Sequence, residues 1–167
     1  MTLIRDEHPL DCPAIGEVVK NAFTDLVYSS NDEDQLVERL REKSELVLSL
    51  VAELEGRVVG HIGFSKVTIN NQFISWYGLG PLSVRKDYQK RGIGSALVNN
   101  GLKRIRDMGA NGCVVLGDPQ YYSRFGFQCL DSLELEGVLP EHFQVLCFKE
   151  PKPEGIVKYC SVFDEFS

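Results

Sequence analysis

The segment Gly78–Met108 reads GLGPLSVRKDYQKRGIGSALVNNGLKRIRDM. It starts as an apolar strand, continues through a short basic turn and becomes a glycine-rich helix start. Leu82 and Val84 share one face of the predicted strand, because side chains alternate along a strand with a period of two. The apolar positions of the helix recur at helical spacing; they are Ile93, Leu97, Ile105 and Met108, with Gly101 between them. We expect the small Gly101 to let this helix lie close to a sheet.

Between the strand and the helix, the sequence predicts a site for an anion. Gly92 and Gly94 leave the first helical turn without side chains, and the backbone N–H groups there have no partner inside the helix. These donors and the positive end of the helix dipole attract negative charge. Gln89, Lys90 and Arg91 add polar and cationic groups at the same place. The turn is therefore predicted to hold a phosphate or a pyrophosphate; the alternative is a solvated turn before a capped helix.

Two familiar phosphate loops do not match this turn. The dinucleotide fingerprint G-x-G-x-x-G requires glycine where this chain has Leu97, and no acidic residue follows at the distance of a ribose ligand. A Walker loop requires Gly-Lys-Ser or Gly-Lys-Thr, and the sequence contains neither. A nucleotide-phosphate-binding domain of another type is therefore the weakest interpretation that we retain.

Two separated motifs carry a more specific signal. Gln89–Gly94 fits the pattern Q-x-x-G-x-G and follows the strand Leu82–Val84, and Tyr121–Phe127 (YYSRFGF) comes later in the chain. In this order they resemble the acetyl-CoA-binding region of the GNAT N-acetyltransferase superfamily, best over Leu48 to Phe127. The resemblance implies an α/β (α+β) fold: a mixed, largely antiparallel sheet of roughly six to seven strands with a splayed central strand pair, flanked by about four helices.

The resemblance also implies which residues bind the cosubstrate, acetyl-CoA. They are Leu82, Ser83, Val84, Gln89, Lys90, Arg91, Gly92, Ile93, Gly94, Ser95, Gly117 and Tyr121. Gly80-Pro81 predicts a bulge, because proline cannot donate to a strand ladder. In the resembled family a bulge here splays two strands apart and admits the pantetheine arm of the coenzyme. Backbone N–H groups around Leu82–Val84 would then polarise the thioester carbonyl, as an oxyanion hole does.

Tyr122 is the expected general acid. It lies four residues before Gly126, the position at which many GNAT enzymes place a tyrosine near the coenzyme sulfur. A phenol with a pKa of about 10 stays protonated at neutral pH and can donate to a thiolate. The alternative is an aromatic core cluster, which would consist of Tyr121, Tyr122, Phe125 and Phe127. That alternative is favoured for the other three residues of the cluster.

The general base stays open among His61, Asp118 and water. Histidine has a suitable pKa, but a lone histidine on a strand is more often structural, and Asp118 also fits a helix cap. The acidic segment Asp32-Glu33-Asp34 has two interpretations as well. It would attract an amine, or, as we favour, it would simply complement the dipole at a helix start.

The length of the chain and the lack of a linker or internal repeat predict one domain over residues 1–167. The predicted strands are 2–5, 46–54, 57–69, 73–84, 113–116, 143–148 and 156–162. The predicted helices begin after an Asp11 cap, near Asp32, at Gly92 and at Asp118-Pro119. The apolar positions of the first helix are Ile15, Val18, Val19, Ala22, Phe23 and Leu26.

Composition narrows the function classes. The net charge of −6 argues against nucleic acid as a partner, because nucleic-acid-binding surfaces are basic. No apolar run reaches the length of a membrane span, and Met1–Glu7 lacks the apolar core of a signal peptide, so we expect a cytoplasmic protein with no membrane partner. The five cysteines form no C-x-x-C pair, and therefore neither a disulfide framework nor a metal site is expected.

We therefore expect an acetyl-CoA-dependent N-acetyltransferase whose acceptor is the amine of a small molecule or of a protein. No covalent enzyme intermediate is expected, because the chain has no nucleophile motif such as G-x-S-x-G. The alternative is a catalytically silent acyl-CoA sensor that keeps the phosphate turn but lacks turnover. The oligomeric state is left open between a monomer and a homodimer.

Overall fold

The computed structural model describes residues 2–24 and 33–166. The strands in this part of the chain are β1 (Thr2–Asp6), β2 (Leu46–Leu54), β3 (Arg57–Ile69), β4 (Gln72–Val84), β5 (Gly112–Leu116), β6 (Leu133–Glu134), β7 (Phe143–Cys147) and β8 (Gly155–Tyr159). The α-helices are α1 (Cys12–Phe23), α2 (Glu33–Glu42), α3 (Ile93–Asp107) and α4 (Pro119–Tyr122). The predicted mixed, largely antiparallel sheet with its flanking helices is confirmed. Leu26 and Asp32, expected in the first two helices, lie outside the described residues.

The sheet runs in the order β1-β2-β3-β4-β5-β7, and β8 pairs with β3 and with the short β6. Strands β1 to β4 form an antiparallel meander. β5 then joins β4 in parallel and pairs with antiparallel β7 on its other edge. A parallel step requires a crossover connection, and α3 lies in that crossover. The basic turn before α3 therefore lies at the carboxyl end of β4.

β4 and β5 separate before β4 ends. Their parallel pairing covers Trp76–Leu79 opposite Gly112–Val115 and stops there. β4 continues beside β3 as far as Val84, whereas β5 continues to Leu116 beside β7. The two strands therefore leave an opening between them, and the predicted splayed pair is confirmed.

On its other edge, β4 carries the bulge that the sequence predicts. Its register against β3 shifts between Ile62 and Phe64. As a result, Gly80 and Pro81 of β4 together lie opposite the single residue Gly63 of β3. Two residues against one is the definition of a β-bulge, which bends the strand that carries it. The bend coincides with the separation of β4 from β5.

α3 covers one face of the sheet. Its buried residues are Ile93, Leu97, Val98, Gly101, Leu102 and Ile105. A Cβ added to Gly101 would overlap the Phe64 ring, so the helix lies as close to the sheet as predicted. Each large apolar side chain buried here contributes roughly 1.5–3 kcal/mol, which holds the start of α3 against β4. Met108 was expected on the same stripe but is 51% exposed, because it is the cap residue beyond the last helical turn.

α1 and α2 cover the opposite face of the first half of the sheet. Their buried contacts with β2 are made by Ile15, Val19, Val37 and Val51. Leu36 and Leu40 of α2 also pack against Val162 in the C-terminal turn Ser161–Phe166. The N-terminal helices and the C-terminal segment therefore meet on this face of the molecule.

Asp11 is the N-cap residue of α1, as the sequence predicts, but the side-chain capping bond expected from it is absent. The Asp11 carboxylate makes no side-chain hydrogen bond to α1. It accepts instead from the His8 backbone N–H at 2.6 Å and pairs with Arg5 at 2.8 Å. Both bonds close the turn that precedes the helix, so α1 begins with Cys12 directly after that turn.

The last predicted strand is also too long. β8 ends at Tyr159, and Val162 lies in the following turn. β8 pairs with β3 over Val67–Ile69 only, because β2 pairs with the same edge of β3 over Arg57–Ser65. The two-residue β6, which pairs with β8, was not predicted.

Candidate active site

A pocket of about 560 Å³ lies over the basic turn and the start of α3; we term it the turn pocket. Its lining residues are Leu82, Val84, Tyr88, Gln89, Lys90, Gly92, Ile93, Gly94, Ser95, Tyr121 and Arg124. All the predicted cofactor residues line it except Ser83, Arg91 and Gly117. The two sequence motifs, far apart in the chain, therefore meet at one pocket.

Two glycines shape this pocket for different reasons. Gly92 is the cap residue of α3 with a φ of 82°, in the left-handed region that favours glycine. Gly94 lies within the helix, and a Cβ added there would stand 2.8 Å from the Tyr121 hydroxyl oxygen. The N–H groups of the first turn have no helical acceptors and lie at the positive end of a 15-residue helix. One wall of the pocket is therefore a row of main-chain donors.

The free edge of β4 extends this wall toward the splay. The Arg85 backbone N–H donates to the Val59 carbonyl on β3 at 2.9 Å. Because main-chain groups alternate between the two edges of a strand, those of Leu82 and Val84 point the other way, where β5 no longer pairs. The Gln89 side-chain amide donates to the Val84 carbonyl at 3.0 Å and ties the basic turn to this edge.

Three predicted cofactor residues lie away from the turn pocket. The Arg91 guanidinium lies over the Tyr88 ring, 5.1 Å from its centroid. Ser83 is 2% exposed, and its hydroxyl has no hydrogen-bond partner among the described residues. Gly117 lies under the Tyr122 ring, where an added Cβ would come within 2.7 Å of a ring carbon. None of the three therefore presents a side chain to the pocket.

A second pocket, of about 670 Å³, lies at the bulge; we term it the apolar pocket. Its β4 and β5 residues are Leu79, Gly80, Pro81 and Leu116. The other uncharged lining residues are Phe23, Leu36, Leu135, Val138, Val157, Tyr159 and Phe163. Because Leu79–Pro81 lines this pocket and Leu82 lines the turn pocket, consecutive residues of one strand connect the two.

The charged residues of the apolar pocket are mostly acidic. They are Glu33, Glu136, Asp164 and Lys158. An excess of carboxylates at a pocket with low-dielectric walls attracts cations. Glu33 lies in the first turn of α2 and also lines the apolar pocket. Its position is therefore compatible with both predicted roles of the acidic segment, which are to complement the helix dipole and to attract an amine.

Tyr122 packs in an aromatic group beside the splay. Its ring lies edge-on to Tyr121 and Phe127, with centroids 5.0 and 5.9 Å apart. Burial raises the pKa of the Tyr122 hydroxyl, and the neighbouring Tyr121 and Cys113 raise it further, so the phenol stays protonated. Tyr122 lines neither the turn pocket nor the apolar pocket. The aromatic cluster is therefore present, and the acid role of Tyr122 stays a prediction.

His61 belongs to a buried polar network. It is 0% exposed, and its Nε2 lies 2.8 Å from Ser49 Oγ. Ser49 donates its proton to Glu7, which Arg41 holds with two bonds of 2.8 and 2.9 Å. Because the Ser49 hydroxyl donates its proton to Glu7, Ser49 Oγ can only accept from His61. His61 Nε2 therefore carries a proton and donates it to Ser49 Oγ. Burial lowers the pKa of His61 to about 4, so the ring is neutral and structural.

Asp118 accepts a hydrogen bond from the Gln120 backbone N–H at 2.9 Å and caps α4. This cap is the interpretation that the sequence favoured for Asp118. Neither Asp118 nor His61 lines the turn pocket or the apolar pocket. The structure therefore brings neither predicted side-chain base to these sites.

Sequence reasoning missed several lining residues. Tyr88 directly precedes the first motif and Arg124 lies within the second, where it stacks over the Tyr121 ring at 4.6 Å. A cation and an aromatic ring next to a phosphate turn are signals that could have identified this pair. Tyr159 and Phe23 carry no such signal, because they reach the apolar pocket from opposite ends of the chain.

Within residues 2–24 and 33–166, no group of three or more His, Cys, Asp and Glu side chains is arranged to hold a metal ion. The same part of the chain contains no helix with the length and hydropathy to cross a bilayer.

Comparison with known proteins gives consistent matches. A family model described as Acetyltransferase (GNAT) domain matches residues 45–129. The Escherichia coli K12 protein named "Uncharacterized N-acetyltransferase YhbS" is 40% identical over 171 residues, covering 98% of this chain and 99% of that protein. A crystal structure of a GNAT family acetyltransferase from Brucella melitensis in complex with acetyl-CoA matches with a TM-score of 0.89 and 43% identity, covering 98% of this chain and 99% of that one. The structure of E. coli YhbS in complex with CoA matches with a TM-score of 0.91 and 35% identity, covering 99% and 93%.

Proposed function

Because this chain belongs to the GNAT acetyltransferase family, we propose that it transfers an acetyl group from acetyl-CoA to a primary amine by direct attack within a ternary complex. Dependence on acetyl-CoA follows from the family and from its CoA-bound relatives. The amine, the ternary complex and the roles of individual residues are the proposal. One observation carries it: a row of main-chain donors runs from the first turn of α3 to the splayed edge of β4, between two pockets.

The turn pocket is the proposed site of the coenzyme pyrophosphate. The first-turn N–H groups of α3 point at this pocket, and no side chain at Gly92 or Gly94 covers them. Lys90 and Arg124 line the same pocket and supply positive charge. Backbone donors at a helix N-terminus combined with cationic side chains form a common phosphate site.

The splayed edge of β4 is the proposed site of the pantetheine arm and the thioester. The main-chain groups of Leu82 and the N–H of Val84 point into the opening between β4 and β5, so amides of the arm can pair with them as an added strand would; the Val84 carbonyl already accepts from Gln89. A preorganised N–H at this edge would stabilise negative charge on the thioester oxygen. One such donor is worth about 3–4 kcal/mol in the transition state.

Proton transfer requires an acid and a base. Tyr122 is our candidate for the acid that protonates the departing thiolate, because its buried phenol keeps its proton. Water entering from the apolar pocket is our candidate for the base, since His61 and Asp118 have structural roles and do not reach either pocket. The amine nitrogen attacks directly, and no side chain of the enzyme is acylated.

The apolar pocket is the proposed acceptor site. Its volume of about 670 Å³ is typical of sites for small molecules. The apolar lining suits a hydrocarbon or aromatic body, and the carboxylates at the pocket attract a protonated amine before it loses its proton. This combination supports a small primary amine with an apolar body over a lysine on a protein surface.

The test is thiol release from acetyl-CoA in the presence of a panel of alkyl, arylalkyl, polyamine and peptide amines. We expect amine-dependent release, an N-acetyl product in mass spectra, and the highest kcat/KM for small apolar amines. The matched control replaces the amino group of the best substrate with a hydroxyl, which should abolish release. Tight CoA binding in calorimetry without turnover on any amine would support the silent acyl-CoA sensor instead.

A further inference from the structure

Tyr159, the last residue of β8, has a buried hydroxyl with no hydrogen-bond partner among the described residues. The ring lies against the backbone of β4, since a Cβ added to Gly78 would stand 3.4 Å from Tyr159 Cζ. Phe163 packs edge-on against the same ring, with centroids 5.0 Å apart. The ring is therefore held on both sides, and its hydroxyl lies close to the last residues of β4 that pair with β5.

One further observation places the Tyr159 side chain at the splay. Tyr159 lines the apolar pocket together with Leu79, Gly80 and Leu116, the residues that border the opening. Burial raises the pKa of Tyr159, so its phenol keeps its proton. Cys113 and Tyr122 pack in the cluster on the α3 side, whereas Tyr159 packs in the cluster of β6 and β8. Tyr122 and Tyr159 therefore belong to different packing clusters of the sheet.

An unpartnered phenol at this position lowers the stability of the protein when no ligand is bound. Burying a hydroxyl without a hydrogen bond is unfavourable, and phenylalanine would fill the same space without that penalty. The hydroxyl becomes satisfied when an acceptor atom enters the opening. In the function proposed above, the carbonyl oxygen of the thioester is the acceptor that would enter this opening.

We propose that Tyr159 is a catalytic residue whose hydroxyl donates a hydrogen bond to the carbonyl oxygen of the acetyl thioester in the splay. This inference rests on the function proposed above. It adds a side-chain hydrogen-bond donor to the thioester oxygen, and this donor comes from the apolar pocket. Tyr159 acts on the oxygen, whereas Tyr122 is the candidate donor to the sulfur. The two phenols approach the thioester from opposite faces of the sheet.

The step balances without any further reactant. The amine nitrogen forms a bond to the carbonyl carbon, and the C=O π pair moves onto the oxygen, which receives the Tyr159 hydrogen bond. Tyr159 keeps its proton throughout. When the pair returns, the C–S bond breaks and the thiolate takes the proton of Tyr122. The nitrogen loses one proton to water, and Tyr122 regains one from water, so the products are the amide and free CoA.

The first test compares the turnover of Tyr159→Phe with that of Tyr77→Phe. Tyr77 is a buried tyrosine of β4 that lines neither pocket, so this control removes the same atom elsewhere. We expect Tyr159→Phe to lower kcat about 100-fold, to raise the KM for acetyl-CoA by no more than about 5-fold, and to melt at a temperature no lower than that of wild type, because the unpaired buried hydroxyl is removed. Tyr77→Phe should stay within about 3-fold of wild type. A kcat for Tyr159→Phe within the same range would overturn the proposal.

The second test needs no acceptor. Calorimetry compares acetyl-CoA with S-ethyl-CoA, which has the same length but no carbonyl. Wild type and Tyr77→Phe should prefer acetyl-CoA, and Tyr159→Phe should lose about 5-fold of that preference. An unchanged ratio of the two affinities in Tyr159→Phe would contradict the role of Tyr159 but leave the proposed function intact. Failure of wild type to bind acetyl-CoA at all would contradict the proposed function as well.

Discussion

The turn pocket and the apolar pocket lie on the same bulged strand, yet their walls are built differently. The turn pocket takes most of its lining from one continuous segment, Leu82–Ser95, and offers main-chain donors. The apolar pocket takes its lining from positions as far apart as Phe23 and Asp164, and it offers side chains. A wall of backbone needs only glycines and a helix start, which a short motif encodes. A wall of distant side chains depends on the packing of the whole fold.

This difference indicates that the turn pocket controls affinity for the acetyl donor and that the apolar pocket controls selection of the acceptor. The cosubstrate is constant across acetyl-CoA enzymes, and a main-chain site has little freedom to change through substitution. An acceptor site built from side chains can change its shape and charge one residue at a time. Donor affinity and acceptor selection should therefore be separable by mutation in this protein.

The largest effect is expected at Tyr122, which lines neither pocket. Tyr122→Phe should lower kcat about 100- to 1,000-fold, because it removes the proposed proton donor to the thiolate. The affinity for CoA should be nearly unchanged, since Tyr122 does not line the turn pocket. Because burial raises the pKa of Tyr122, wild-type activity should not fall between neutral pH and pH 9 through ionisation of this phenol.

Steady-state kinetics over that pH range, with CoA affinity from calorimetry, check this prediction. Tyr77→Phe again serves as the control for removing a buried phenolic oxygen from the sheet. Equal turnover of Tyr122→Phe and wild type at every pH would take Tyr122 out of the mechanism and leave it only its place in the aromatic cluster.

The second prediction breaks the turn pocket alone. Gly94→Val should weaken CoA binding about 100-fold, equivalent to roughly 2.7 kcal/mol, because the new side chain covers the first-turn donors. Gly16→Val is the matched control, since Gly16 is also helical and a Cβ there meets no atom within 4 Å. Calorimetry with CoA measures both variants.

A Cβ at residue 94 would also meet the Tyr121 hydroxyl, so a double variant separates the two causes. Tyr121→Phe in the Gly94→Val background removes that hydroxyl. Weak binding that persists in the double variant is due to blocked approach of the ligand. Full recovery of affinity would instead assign the whole loss to a clash within the protein.

The same contrast explains what could be predicted from sequence. Gly92, Gly94 and the strand Leu82–Val84 were identified correctly as neighbours because the motif fixes the backbone locally. The resemblance assigned Arg91 to the cofactor, but a motif does not fix the direction of a long side chain. In the structure the Arg91 guanidinium lies over the Tyr88 ring, and Arg124 from the later motif lines the turn pocket.

The apolar pocket was beyond sequence reasoning for a different reason. The pattern near residues 156–162 predicts a strand, but period-two alternation does not say which strand it pairs with. Tyr159 reaches the splay only because β8 pairs with β3 and ends where β2 takes over the same edge. That arrangement joins segments more than 90 positions apart (Val67 with Tyr159), so no local pattern encodes it.

The third prediction concerns the sheet that supports both pockets. The pKa of His61 is lowered from 6.5 to about 4 by burial, so the unfolded chain binds more protons between these values. The free energy of unfolding should therefore fall as the pH falls from about 7 toward 4. At pH 5 the contribution of His61 amounts to about 2 kcal/mol. His61→Gln should remove this part of the pH dependence.

Urea unfolding at pH 7 and pH 5 checks the prediction, with exposed His142→Gln as the control. The difference in unfolding free energy between the two pH values should shrink in His61→Gln and stay unchanged in His142→Gln. CoA affinity at pH 7 should be the same in both variants and in wild type, because His61 lines neither pocket. An unchanged pH dependence in His61→Gln would show that the ring is not held neutral by burial.

The smallest effect is expected at the rim of the apolar pocket, and it tests the separation most directly. Glu136 is exposed and lines this pocket, whereas Glu134, two residues earlier, is exposed and does not. Glu136→Gln should raise the KM for the amine about 3-fold, because an exposed carboxylate attracts a cation only weakly through water and salt. The effect should vanish at high ionic strength, and Glu134→Gln should show none. The Kd for CoA should not change in either variant, because the turn pocket has its own donors. If Glu136→Gln weakens CoA binding as much as it raises the amine KM, the two pockets are coupled, and selection of the acceptor cannot be altered independently of the donor.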